Sequence, residues 1–166
     1  SLKQAEDYFQ TKNIPFVAKE KTTFTFIDLF AGIGGFRLAM QANGGECVFS
    51  SEWDKDAKQT YYENYGEVPF GDITKDEVKA FIPEHFDVLC AGFPCQAFSI
   101  AGYQKGFDDV RGTLFFDVAD IIEKHRPKAF YLENVKNLQS HENGNTFKKI
   151  IDVLENRLGY VVDTKI

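Results

Sequence analysis

No stretch of the 166-residue chain approaches eighteen consecutive apolar residues, so nothing in it reads as a membrane-spanning helix. The opening residues, Ser1-Leu2-Lys3-Gln4-Ala5-Glu6-Asp7, lack the charged-then-apolar layout of a secretory signal, and a soluble, intracellular protein is expected. Cysteine is scarce. The three residues Cys47, Cys90 and Cys95 are odd in number and form no C-x-x-C pair, which supports neither a disulfide framework nor a zinc knuckle. His85, His125 and His141 are scattered without ligand spacing, so no metal is expected. An excess of basic residues is missing too: 19 Lys+Arg stand against 25 Asp+Glu, a formal net charge of −6. That balance disfavours a surface that binds polyanions everywhere and leaves nucleic acid to be argued from a local site. Internal repeats, low-complexity tracts and linkers are absent from the sequence. With 43% hydrophobic and 27% charged residues, the chain has material for one buried core and too little for two ordinary domains.

What the sequence does contain is a regular beat of strands and helices. Residues 1–22 read as an N-terminal extension, with Leu2, Ala5 and Phe9 at helical spacing before the Ile14-Pro15 break, and residues 23–166 as the core. Thr25 to Phe30 is a β-rich run closed by glycines, followed by a helical segment, Phe36 to Met40, ended by Asn43-Gly44-Gly45. Cys47 to Ser51 predicts a second strand, Asp56 to Tyr65 a helix stopped at Gly66, and Val68 to Ile73 a short third strand. Thr74 is placed to cap a helix from Lys75 to Phe81, with Glu77 at the capping-box position. Phe86 to Ala91 and Ala129 to Leu132 are apolar runs of buried type, predicted to lie centrally in the sheet, with a helix from Thr113 to Lys124 between them. A last helix, Thr146 to Leu158, ends at Gly159, and Tyr160-Val161-Val162 starts a further strand. The alternation predicts a doubly wound α/β fold with a mostly parallel sheet. In such sheets ligands bind beyond the carboxyl ends of the strands, which directs attention to the residues that close each one.

At the first of these ends, Asp28-Leu29-Phe30-Ala31-Gly32-Ile33-Gly34-Gly35 puts glycines at a strand-to-helix turn, where backbone can approach a ligand closely or simply turn tightly. The spacing departs from G-x-G-x-x-G, because Gly35 adjoins Gly34, so a pyrophosphate cradle is less favoured. About twenty residues on, Glu52 closes the second strand, where a carboxylate can accept from both hydroxyls of a ribose. Trp53 beside it either packs on a purine or fills the rim of the core, and Asp72 at the third strand end can accept from an adenine amino group. Glycine turn and two acids suit S-adenosyl-L-methionine better than a nicotinamide dinucleotide, since a sulfonium amino acid carries cationic groups and no phosphates.

Cys95 lies in the loop after the fourth strand, inside Gly92-Phe93-Pro94-Cys95-Gln96, whereas Cys47 and Cys90 lie within apolar strands and read as inert packing residues. Position makes Cys95 the candidate nucleophile. Glu133 closes the neighbouring strand, so its carboxylate can face Cys95; an acid at a strand end is commonly a capping or salt-bridged group, but one in an apolar cleft can stay protonated and donate. Pro94 to Gly112 is the one long irregular stretch, of the length usual for lids and binding loops. Lys105 and Arg111 place two cations on it amid Asp108 and Asp109, as phosphate contacts or as an ordinary solvated loop.

The strings Asp28-Leu29-Phe30-Ala31-Gly32-Ile33-Gly34-Gly35-Phe36, Gly71-Asp72-Ile73-Thr74, Gly92-Phe93-Pro94-Cys95-Gln96-Ala97-Phe98-Ser99, Arg111-Gly112-Thr113-Leu114-Phe115 and Glu133-Asn134-Val135 stand in an order that resembles the bacterial DNA cytosine-5 methyltransferases. The resemblance runs from Thr25 to Ile166. It implies that Phe30 stacks on the cofactor adenine, Glu52 holds its ribose, Trp53 packs at the ring, and Asp72 with the Ile73 backbone reads the adenine edge, while Pro94 and Leu114 wall the pocket. It implies Cys95 as nucleophile and Glu133 as partner of the cytosine N3, with Gln96 and Ser99 touching DNA around an extruded base. Ala101 departs from the serine of the nearest comparison. A bacterial cytoplasmic enzyme acting on double-stranded DNA is implied as well.

Family members continue into a Gln-x-Arg-x-Arg segment, a target-recognition region and a Gly-Asn-Ser motif, none of which occurs among the 166 residues. The core is therefore expected to be incomplete at its C-terminal end and to need a complementary C-terminal subunit or missing segment. A non-catalytic cofactor-binding or regulatory module is the alternative. A nicotinamide-dependent oxidoreductase ranks far lower, given the glycine spacing.

Overall fold

The computed structural model describes residues 14–94 and 114–165. Four strands form one parallel sheet: β1 (Phe24–Leu29), β2 (Gly45–Ser51), β3 (Val88–Gly92) and β4 (Ala129–Glu133), in the order β2-β1-β3-β4. The helices are α1 (Gly35–Ala42), α2 (Lys55–Tyr65), α3 (Asp76–Lys79), α4 (Leu114–His125) and α5 (Asn145–Asp152). The doubly wound α/β expectation holds. The chain runs from β1 outward to β2, then crosses back over β1 to β3, so the strand order reverses between β1 and β3. That reversal opens a crevice at the carboxyl ends of β1 and β3, the place where open parallel sheets take ligands.

Period-two alternation sorts the strand side chains onto two faces. Ile27 and Leu29 of β1, with Leu89 and Ala91 of β3, join the main apolar cluster with Val118, Ile122 and Leu154. Helix α4 buries Phe115, Phe116, Val118, Ala119, Ile121 and Ile122, and each of these except Ala119 is worth about 1.5–3 kcal/mol when removed from water. The intervening residues Asp28 and Cys90 are register partners and are wholly buried on the opposite side, toward Arg37 of α1. There Tyr61 and Tyr65 of α2 pack with Ala31.

Helix ends follow local chemistry. Asp54 caps α2 by accepting from Ala57 N at 2.8 Å, and Gly66 ends it at φ 73°. Elsewhere the sequence reading is corrected. Val68 to Ile73 does not form a strand: Phe70 N donates to Ser50 O and Glu52 N to Phe70 O, a single bridge, because Pro69 has no N–H to extend it. Stacking of Phe70 between Phe49 (5.0 Å) and Phe81 (4.8 Å) holds the segment instead. Thr74 does not cap the next helix. Its N–H and hydroxyl both donate to Asp72 Oδ1, Lys75 takes the cap position, and the helix shortens to four residues as Phe81 and Ile82 tighten into i→i+3 bonds ahead of Pro83.

β4 is an edge strand among the described residues, not a central one, and Ala129, Tyr131 and Glu133 along it are exposed. Tyr160 to Val162 does not pair with it. That segment is held by Tyr160, whose hydroxyl donates to Pro127 O at 2.6 Å and whose ring meets Phe130 edge-on, while Arg126 donates to Leu158 O. A groove of about 910 Å³ lies beside β4, bounded by Phe93, Leu132, Leu138, Phe147 and Ile150. The helix predicted from Thr146 runs as α5 and then widens into a π turn, Val153–Arg157, before Gly159. The predicted N-terminal helix lies outside the described residues.

Candidate active site

The site grows from the β1-to-α1 turn. Phe30 adopts φ 55°, a left-handed conformation costly for a bulky residue, and Gly32 (φ 55°) and Gly34 (φ 93°) follow. A Cβ on Gly32 or Gly35 would meet nothing within 4 Å, so backbone there faces open space. Glu52, at the end of β2, fastens this turn: Oε2 accepts from Gly32 N, and Oε1 from Trp53 N and Asp54 N, all at 2.8 Å. A carboxylate offers roughly four acceptor positions. Three N–H groups leave one of these positions, on Oε2, unused by the backbone.

Trp53 is 76% exposed, which removes the alternative that it fills the core rim. Ile73 is buried at the start of the next loop, and Asp72 beside it spends one oxygen on Thr74. Phe30 and Leu114 are half-buried against the main core cluster. Pro94 is exposed, one residue beyond Phe93. Phe30, the glycine turn, Glu52, Trp53, Asp72 and Ile73 thus close successive strands or the bridge beside them on one edge of the sheet.

On the other side of the crevice Gly92 pairs in register with Glu133. A Cβ on Gly92 would sit 3.4 Å from Glu133 Oε2, so the glycine leaves space for a carboxylate leaning over the end of β3. Asn134 Nδ2 donates to Phe93 O at 2.7 Å and ties the two strand ends together just where the chain leads to Cys95. Glu133 is exposed rather than sunk in an apolar cleft. Cys95, Gln96, Ser99, Lys105 and Arg111 lie outside the described residues. Burial pushes the Cys47 thiol up to about 12 and raises the Cys90 thiol as well, so neither is a thiolate near neutrality.

Three residues in this region carry more than sequence reasoning assigned them. Asp28 is fully buried, and neither carboxyl oxygen finds a hydrogen-bond partner among the described residues. Burial raises its pKa to about 8, against the opposing pull of nearby Arg37, with Glu52 adding to the rise. Asn64 and Tyr65 contact the glycine turn from α2. A charged residue inside an apolar strand was the visible signal for Asp28; Tyr61 and Tyr65, at i,i+4 spacing, signalled only packing.

The acids at the β2 and bridge ends suit a cationic, phosphate-free nucleoside, since a pyrophosphate would meet carboxylates there. Residues 24–166 match the profile of the C-5 cytosine-specific DNA methylase family. The type II methyltransferase M.HpaII of Haemophilus parainfluenzae is 68% identical over 139 residues, 84% of this chain and 39% of that protein. M.HhaI of Haemophilus parahaemolyticus is 56% identical over 148 residues, 89% of this chain and 44% of that protein. The chain thus spans about two fifths of these relatives' length. A crystal structure of a DNA modification methyltransferase from an E. coli prophage superposes with a TM-score of 0.59 at 22% identity, covering 81% of this chain and 38% of that one, and supports the fold alone.

Proposed function

The chain belongs to the C-5 cytosine-specific DNA methylase family, and from that premise we propose that it is the cofactor-binding and nucleophile-bearing part of a bacterial DNA cytosine-5 methyltransferase. Phe30, Gly32, Ile33, Gly34, Gly35, Glu52, Trp53, Asp72, Ile73, Gly92, Pro94 and Leu114 hold S-adenosylmethionine, which supplies a methyl group on a sulfonium sulfur. The observation that carries this reading is the pairing of Gly92 with Glu133, which sets a carboxyl group beside the strand end that leads through Pro94 to Cys95.

Cytosine C5 is a poor nucleophile on its own. The Cys95 thiolate adds to C6, Glu133 supports N3, and the ring becomes an enamine whose C5 can take the methyl group. With the methyl group taken and the donor left as a neutral thioether, loss of the C5 proton to water returns the ring electrons and expels the Cys95 sulfur as a thiolate. C6 is out of reach within a stacked duplex, so the base is extruded, at a cost of a few kcal/mol. Gln96 and Ser99 contact DNA around that base, and Lys105 and Arg111 meet phosphates. Among the described residues no helix is long and apolar enough to cross a membrane.

A second polypeptide, or a further segment, completes the protein with its target-recognition region. The side of β4 that pairs with no strand among the described residues, with the groove next to it, offers that element a strand to join. Mixing this chain with a polypeptide that spans the remaining length of its relatives should transfer radiolabelled methyl groups from S-adenosylmethionine to the cytosines of double-stranded DNA. Folded components that bind each other but leave DNA unlabelled at every sequence offered would overturn the reading.

A further inference from the structure

We infer that Asn64 and Tyr65, at the end of α2, are positioning residues that set the shape of the cofactor turn Gly32–Gly35, an inference that rests on the cofactor reading above. Asn64 Nδ2 donates to Ile33 O at 3.1 Å, and the Tyr65 hydroxyl donates to Gly34 O at 2.6 Å. Gly34 has φ 93°, and a Cβ there would fall 2.2 Å from Tyr65 Cε2, so the tyrosine ring fills the space a side chain would need. From the opposite side Gly32 N is held by Glu52. The turn is therefore gripped at three consecutive residues by two elements, while Gly32 and Gly35 keep open space in front of them.

The grip is rigid because Tyr65 is itself fixed. It is buried, with the Arg37 guanidinium 4.8 Å from its ring centroid and the rings of Tyr61 and Phe16 at 4.8 Å and 5.8 Å. Arg37 in turn is held by both oxygens of Glu67, at 2.7 and 2.9 Å, and by Gln41 Oε1. Gly34 O also accepts from Leu38 N, the first intrahelical bond of α1. Removing the Tyr65 hydroxyl thus spares the ring packing, the Arg37 contact and the helix bond, and frees only the turn.

The test uses the full chain carrying Tyr65→Phe or Asn64→Ala, titrated with S-adenosylhomocysteine in a calorimeter. Each variant should bind roughly 5- to 10-fold more weakly, the effect of one lost hydrogen bond that holds the bound geometry. The backbone amide resonances of Gly34 and Gly35 should shift in the unliganded variants, a signature that general loosening of the core would not confine to the turn. Wild-type affinity with unmoved Gly34 and Gly35 resonances in both variants would overturn the positioning role while leaving the cofactor reading standing. A folded wild-type chain that binds no S-adenosylhomocysteine would instead remove the cofactor reading, and this inference with it.

Discussion

Replacing Cys95 with serine is expected to abolish methyl transfer in the completed enzyme, with a loss on the order of 10³-fold or more. The substitution keeps the shape of the side chain and changes the atom that attacks. A thiol supplies a fraction of thiolate near neutrality and a soft, polarizable sulfur suited to conjugate addition at C6, whereas an alcohol supplies neither. The cofactor contacts proposed at Glu52, Asp72 and the glycine turn arise from β1, β2 and the Phe70 bridge and do not use the Cys95 side chain. Binding of S-adenosylhomocysteine should therefore stay within about twofold, while methyl incorporation into DNA disappears. A Cys95→Ser enzyme retaining a tenth or more of the wild-type rate would remove the covalent step from the account.

The second large effect concerns stability. Asp28 is wholly buried and its pKa lies near 8, against 3.8 for an ordinary aspartate. Between those values the native state holds a proton that the unfolded chain has released, so stability falls as pH rises from about 4 to about 8 and levels off above that. Below pH 4 the carboxyl is protonated in both states and costs nothing extra. Asp28→Asn removes the ionisable group and should flatten this decline. Its gain over wild type should be near zero at pH 4 and about 2–4 kcal/mol at pH 8, with allowance for relaxation and water entry around a buried charge. Asp87 acts with the opposite sign. The Lys128 ammonium, 2.6 Å away, and the Thr25 backbone N–H lower its pKa, so its contribution is present above about pH 4 and fades only in acid. The two windows do not overlap. Denaturant unfolding of wild type and Asp28→Asn across pH 4–8.5 checks the prediction, which fails if the two curves run parallel.

Burying a carboxyl group whose oxygens have no hydrogen-bond partner among the described residues is a local inconsistency of the kind proteins keep at working sites. Asp28 lies two residues before the Phe30–Gly35 turn, and the nearby Glu52 charge adds to the rise of its pKa.

The sheet was legible because its signals are local. Glycines at 44–45, 66 and 159 stop elements, and apolar runs mark β1 and β3, so the parallel sheet and its ligand-binding edge followed from alternation alone. Val68 to Ile73 misled because its apolar residues serve an aromatic stack and not a ladder, and Pro69 denies the ladder a donor. Ala129 to Leu132 misled for another reason: an apolar run reports that a strand is covered, not what covers it, and here half of its residues are exposed. Glu52 was found as an acid at a strand end, but its three backbone bonds depend on the path of residues 52–54, which no spacing encodes. Tyr65 was least visible, since a hydroxyl reaching back thirty-one residues to Gly34 looks in the sequence like one more core aromatic.

The central claim is a covalent bond between one sulfur and one cytosine carbon. A duplex containing 5-fluorocytosine, incubated with S-adenosylmethionine, this chain and its completing polypeptide, blocks the final loss from C5 and should leave DNA attached to the protein. Mass spectrometry of the digested complex is predicted to find the adduct on Cys95 and to find none without cofactor. An adduct on another residue, or no adduct in a mixture that methylates ordinary DNA, would contradict the account.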